Sequence, residues 1–258
     1  PIYPVAEVQL GLVPGIMSFY LGINGEVKYN SLQNLLYDNP FMKPQLDSLK
    51  FTRSQIVLRA GIKGNLVKKL NYHVSARYSL NKDEVFYVID TNARLKNQFN
   101  IMYKDANVLN VCANLNWETM GKLYLNLEGN YWGVFFNHIS DTIEEKAWYR
   151  PTWEVKFNGK YFYNKKMAFS VNCNLQFGRW ASVPDFETNV FTVQKMKPLL
   201  DFGLGFEYFF SNRFTAFANI NNVACQNYAK YYDFKSYGIN VMIGITYSFG
   251  DESLKVRR

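Results

Sequence analysis

The segment Tyr237–Phe249 reads YGINVMIGITYSF. Tyr237, Ile239, Val241, Ile243, Ile245, Tyr247 and Phe249 are apolar or aromatic, and the residues between them are small or polar except for Met242. Successive side chains of a strand point to opposite faces, so this spacing predicts a strand with one apolar and one polar face. Tilted, it is long enough to cross a bilayer, and it ends on an aromatic suited to the water boundary. It reads as the closing strand of a transmembrane β-barrel, which requires the same pattern to recur in hairpins along the chain.

Composition narrows the alternatives. The chain has 258 residues, 48% of them hydrophobic, yet its mean hydropathy is −0.22. No run approaches the roughly 18 apolar residues of a membrane helix, which excludes a helical membrane protein. Aromatic residues make up 17%, with 19 Tyr and 21 Phe, a bias that suits strands and membrane interfaces. Lys and Arg are spread through the chain apart from a short cluster at Lys255–Arg258, so the net charge of +8 supplies no basic face for nucleic acid. Cys112, Cys173 and Cys225 are far apart and lack CxxC spacing, which points to isolated thiols and to no metal or other cofactor. An opening on Pro1 fits an exported, processed or truncated polypeptide.

Along the chain the alternation recurs. Residues 3–12 and 17–29 flank the turn Val13-Pro14-Gly15, and residues 52–62 and 70–79 flank Gly64-Asn65. Between Phe99 and Trp117 the apolar residues keep one parity across Lys104-Asp105, which favours a single long strand projecting beyond the membrane. Further strands are expected from Leu123, over 149–163, 168–179 and 200–210, from Phe214, and over the closing segment. The count is eleven, with five short turns alternating with five long loops. Bacterial barrels keep short turns in the periplasm and have an even number of strands. Residues 1–249 are therefore expected to be the C-terminal part of a larger barrel that lacks at least one N-terminal strand here, with the C-terminus periplasmic and 250–258 a short charged tail.

Several short motifs occur in order: Leu12-Val-Pro-Gly15, Asn39-Pro-Phe41, Gly61-Ile-Lys-Gly64, Tyr103-Lys-Asp-Ala-Asn-Val-Leu-Asn110, Asp201-Phe-Gly-Leu-Gly-Phe-Glu-Tyr208, Phe217-Ala-Asn-Ile-Asn-Asn-Val223, Tyr228, Tyr237-Gly-Ile-Asn240 and Tyr247-Ser-Phe249. Together they resemble the end of TonB-dependent receptor barrels, and especially the short receptor-like barrels of Bacteroidetes. The resemblance implies a bacterial outer-membrane location, contact with outer-membrane lipid and lipopolysaccharide, and uptake of a nutrient or ligand coupled to the TonB complex. No plug or TonB-contacting box is legible in these residues. This leaves open a plugless structural barrel that partners another outer-membrane or periplasmic protein.

The ionisable residues on the polar parity are Arg59, Arg77, Glu128, Glu154, Lys156, Lys160, Asp201 and Glu207. They are expected to face the lumen, where they either line a substrate path or cross-pair to keep the interior polar. Tyr149, Trp153, Tyr237, Tyr247 and Phe249 are assigned to the aromatic girdles at the membrane edges. The aromatics of Tyr131-Trp-Gly-Val-Phe-Phe136, Trp148-Tyr149 and Trp153 read either as an outer-leaflet girdle, the simpler reading, or as a ligand platform. Asp141, Glu144 and Glu145 lack the Asp-x-Asp-x-Asp-Gly calcium pattern and read as a solvated loop. The only histidines, His73 and His138, are not placed by sequence in a nucleophile–histidine–acid arrangement, and no enzyme is expected.

Overall fold

The computed structural model describes residues 3, 5–44, 49–67, 69–93, 97–136, 145–185 and 190–249. Its elements are β1 (Ala6–Val13), β2 (Met17–Lys28), α1 (Leu32–Asp38), β3 (Thr52–Val67), β4 (Leu70–Ile89), β5 (Phe99–Thr119), β6 (Leu123–Phe136), β7 (Trp153–Phe162) and β8 (Met167–Phe177). They continue with β9 (Trp180–Pro184), β10 (Phe191–Lys195), β11 (Leu199–Phe209), β12 (Phe214–Asn221), β13 (Ala229–Tyr231), β14 (Phe234–Lys235) and β15 (Asn240–Tyr247). Eleven strands form one sheet in the order β1-β2-β3-β4-β5-β6-β7-β8-β11-β12-β15, and every pairing is antiparallel. The two remaining pairs, β9 with β10 and β13 with β14, are small hairpins inside long loops.

Register explains why the two faces differ. Val74 stands opposite Ala113, Ala113 opposite Gly129, and Gly129 opposite Val155. Because side chains alternate strictly along each strand, one aligned row of apolar residues places all its neighbours on the same convex face. Leu58, Val74, Leu115, Leu127, Phe169, Leu204 and Ile243 on that face are all exposed. The opposite, concave face carries Asn114, Glu128, Lys156, Asn174 and Asp201, successive partners across five strands.

Two bulges shift the parity expected from sequence. In β3 the register passes from Ser54 opposite Asn81 to Ile56 opposite Leu80, so Ser54 turns inward. It is buried there and donates to Asn81 Oδ1 at 2.8 Å. In β4 the pairing moves from Asn81–Ala106 to Glu84–Lys104, and Asp83 adopts a φ of 55°. One extra residue reverses the alternation, and the segment after Asn81, expected to be loop, instead continues the strand to Ile89. The long β5 is a single strand of 21 residues across Lys104-Asp105, as its constant parity implies. β15 is shorter than expected, because Asn222 Nδ2 donates to Tyr237 O at 3.0 Å and holds the start of that segment in the preceding loop.

The buried apolar core lies at the loop end of the sheet. Leu35 and Met42 from the first long loop meet Val85, Phe86, Tyr87, Ile89 and Phe99 from the projecting ends of β4 and β5. Trp148 and Tyr149, Ala181 and Tyr231 bring in the remaining three long loops. The result is a cap to which four long loops and the projecting ends of β4 and β5 contribute. α1 begins at Ser31, whose side chain accepts from Asn34 N at 3.2 Å as an N-cap. The segment after α1 runs beside β5, with Phe99 N donating to Phe41 O at 3.0 Å and Lys43 N to Phe99 O at 2.8 Å.

Tyr149 therefore corrects the girdle assignment. It is buried in the cap with a φ of 63°, its ring centroid 5.4 Å from Phe99 and 5.3 Å from Tyr231. Its backbone N–H donates to Trp180 O at 2.8 Å, which draws this segment inward instead of along the membrane edge. Trp153, Tyr237, Tyr247 and Phe249 are exposed.

Burial pushes the Tyr149 hydroxyl well above its ordinary range, with Tyr232 and Asp233 adding to the rise. Tyr231 rises for the same first reason, reinforced by Asp38 and by Tyr87. A raised folded pKa means the cap keeps its full stability below the unfolded value of about 10 and loses it above, by at most about 1.4 kcal/mol per pH unit for each tyrosine. Titration above pH 10 is expected to show tyrosinate absorbance appearing late, together with protease cleavage of the long loops. Loops as resistant at pH 11 as at pH 8 would contradict this coupling.

Candidate functional site

Beneath the cap the concave face encloses a cavity of about 580 Å³. Its roof comes from cap residues including Phe86, Trp148, Tyr149 and Tyr231, and its walls from inward positions of the sheet. Glu26 on β2 pairs with Arg77 on β4 and lies 3.3 Å from Arg59 on β3. Glu84 on β4 accepts from Arg150 at 2.7 Å, and Arg150 also donates to Val85 O at 2.6 Å with its guanidinium 4.7 Å from the Phe86 ring centre. Glu154 accepts from Gln176 at 2.8 Å and pairs with Lys156 at 2.9 Å. Each carboxylate on the wall thus has a cation beside it, the arrangement that makes partly buried charge tolerable.

The eight ionisable residues predicted for the lumen do not form one site. Arg77 and Glu154 line this cavity directly, with Arg59 and Lys156 held one contact behind them. Glu128 accepts from Asn130 at 2.8 Å and from Asn114 at 3.5 Å. Lys160 and Glu207 pair at 2.8 Å nearer the short turns, and Lys160 lines a second cavity of about 440 Å³ with Asn71, Asn116, Asn126 and Asn172. Asp201 instead organises the last long loop, accepting from Asn222 N at 3.2 Å. Cross-pairing thus accounts for Arg59, Arg77, Glu154, Lys156, Lys160 and Glu207.

Glu26 faces the concave side opposite Ser54, and its role as a bridge between two arginines depends on strand register. Glu84 lies beyond a bulge and Arg150 lies in a loop, so alternation marks neither. The aromatic-rich stretch separates by parity. Tyr131, Phe135 and Trp153 point outward, whereas Trp132, opposite Asn110, lines the cavity together with Trp148 and Tyr149. The stretch is thus divided between the two faces of the sheet and the cap.

His73 makes a 2.9 Å hydrogen bond with the Tyr20 hydroxyl on the concave face. His138, Asp141 and Glu144 lie outside the described residues, and Glu145 pairs with Lys104. Among the described residues no group of three or more His, Cys, Asp or Glu is gathered to hold a metal.

No protein-family model matches the chain, and no curated protein matches it. Solved structures do. The pyoverdine outer membrane receptor FpvA from Pseudomonas aeruginosa PAO1, bound to pyoverdine, matches with a TM-score of 0.68 at 13% identity, over 96% of this chain and 36% of that one. The copper transporter OprC matches with a TM-score of 0.66 at 15% identity, over 96% of this chain and 39% of that one. The ferric enterobactin receptor PfeA from Pseudomonas aeruginosa matches with a TM-score of 0.64 at 14% identity, over 96% and 40%. The chain spans between a third and two fifths of the length of these receptors. It has the fold of the barrel part of TonB-dependent receptors and resembles that part over nearly its whole length.

Proposed function

We propose that the chain forms part of the wall of an outer-membrane receptor of the TonB-dependent type, which binds a ligand on its concave side beneath the cap and passes it inward. The observation that carries this reading is the contrast between the faces: a convex surface of exposed aliphatic and aromatic side chains and a concave surface of amides and paired ions. Soluble monomers rarely expose contiguous apolar patches beyond a few hundred Å², whereas a continuous apolar face is what hydrocarbon requires of a barrel exterior.

In this reading lipid and lipopolysaccharide cover the convex face, the cap lies outside the cell, and the short turns and the end of β15 face the periplasm, where TonB would engage. The outer edges of β1 and β15 would then pair with further strands, because bare strand edges do not persist in hydrocarbon. The reading is one of binding and transport, in line with solved neighbours named as receptors and a transporter.

The test is an outer-membrane fraction of the native producing cell, run on a gel boiled and unboiled and probed with an antibody to this chain. A species whose mobility shifts on boiling and whose mass well exceeds 30.1 kDa is expected. A protein found in the soluble fraction, with no shift, would contradict the reading.

A further inference from the structure

We propose that the cavity beneath the cap takes a neutral, polyhydroxylated ligand, a short oligosaccharide, with Trp132 as the surface on which a sugar ring stacks. This inference rests on the receptor reading and adds the ligand class to it. Charge balance is the first ground. The acidic lining residues Glu26, Glu84, Glu154 and Asp38 each have a cation in place, the last being Lys230 at 3.7 Å. An anionic metal chelate calls for cations in excess, and a bare cation calls for carboxylates or imidazoles without partners. The lining carries four cations, Lys28, Arg77, Arg150 and Lys230, against those four carboxylates, so by count it is neutral and offers neither arrangement among the described residues.

Hydroxyl groups ask for something else, since each donates one hydrogen bond and accepts others. The walls set donors and acceptors side by side: Arg77 next to Glu26, Arg150 next to Glu84, and Gln176 next to Glu154. Planar groups so arranged meet neighbouring hydroxyls in pairs and hold them without a net charge to neutralise.

Trp132 is the second ground. It points inward from β6 and stays 37% exposed while lining the cavity, whereas Trp148 above it is 5% exposed and packed into the cap. A large π surface left open in a polar cavity suits the weakly polarised C–H face of a sugar, whose rim carries the hydroxyls. Tyr149, also on the lining, has its hydroxyl buried at the roof with no partner among the described residues. A volume of about 580 Å³ lies within the range of small-molecule sites and leaves room for a few sugar rings.

The experiment uses the full-length protein purified in detergent and titrated calorimetrically with neutral di- and trisaccharides of gluco, galacto, manno and xylo configuration, and separately with ferric citrate and copper(II). At least one saccharide is expected to bind. Trp132→Ala should weaken it by about tenfold or more, as the loss of about 1.4 kcal/mol implies, and Trp132→Phe should weaken it less. Each variant is first shown to keep its heat-shifted band. Binding by none of the saccharides, saccharide binding unchanged in Trp132→Ala, or ferric citrate or copper(II) binding that Trp132→Ala abolishes would each overturn the ligand class. Such a failure by a protein that still heat-shifts in the outer membrane leaves the receptor reading standing, whereas absence from that membrane removes the receptor reading itself.

Discussion

Arginine at Val74 is expected to prevent assembly, while arginine at Asn114, on the neighbouring strand, is expected to be tolerated. Val74 sits on the convex face of β4 opposite Ala113, near the middle of the apolar band, and is 46% exposed. If that face meets hydrocarbon, a guanidinium there costs about 2–4 kcal/mol at the bilayer midplane, a large share of the roughly 5–15 kcal/mol that holds most domains together. Asn114 faces the concave side, where its amide already reaches Glu128 at 3.5 Å, so a cation placed there gains a carboxylate partner. The readout is the heat-shifted band in outer membranes, lost for Val74→Arg and retained for Asn114→Arg. In a water-soluble sheet with a solvated convex face the difference would vanish, since Val74→Arg would then be as harmless as Asn114→Arg.

The second large effect belongs to the cap. Arg179 follows Gly178 at the end of β8 and is 1% exposed. It donates through Nη1 to Ala229 O at 2.8 Å and Lys230 O at 3.3 Å, and through Nη2 to Lys197 O at 3.0 Å. Burial lowers its affinity for the proton relative to a solvated arginine, and those carbonyls keep the charge in place. It ties the loop that carries β9 and β10 to the loop that carries β13. Replacement by leucine takes this donor from all three carbonyls, and a buried acceptor left without a donor costs about 1–3 kcal/mol. A loss of about 3–5 kcal/mol is expected, on the scale of breaking a buried charged contact. Limited proteolysis should therefore cut Arg179→Leu within the loops between β8 and β11 and between β12 and β15, while the heat-shifted band persists. Loops as resistant as those of the unmodified protein would contradict this role.

What the sequence made legible follows from the physics of alternation. Where a strand has lipid on one side and a polar interior on the other, each residue reports its face, so β5 through its Lys104-Asp105 step and the inward Lys160 and Glu207 were readable one position at a time. Alternation fails where that asymmetry ends. The stretch Val85–Ile89 has cap on both sides and is apolar on both parities, so it resembled a loop. The bulges at Ser54 and at Asp83 reverse parity with a single extra residue and leave no compositional mark. Tyr149 was misplaced for a related reason: a tyrosine beside a tryptophan looks the same in a girdle and in a buried cap, and only the pairing of its backbone with Trp180 decides between them. The cavity itself could not be read, because it joins residues as distant as Glu26 and Arg77, or Glu84 and Arg150, whose meeting depends on register.

The chain's own thiols give the most direct test of the central claim, that the convex face meets lipid and the concave face meets water. Cys173 pairs with Phe157 and Phe202 in the convex row, Cys112 lies on the concave side opposite Ser75 and Asn130, and Cys225 is exposed in the loop before β13. Outer membranes are treated with a charged, membrane-impermeant thiol reagent or with a lipophilic maleimide, and the modified cysteines are located by mass spectrometry. The charged reagent should modify Cys225, and Cys112 where the interior admits it, and should spare Cys173, which the lipophilic maleimide alone should reach. Modification of Cys173 by the charged reagent in intact membranes would place the convex face in water and contradict the account.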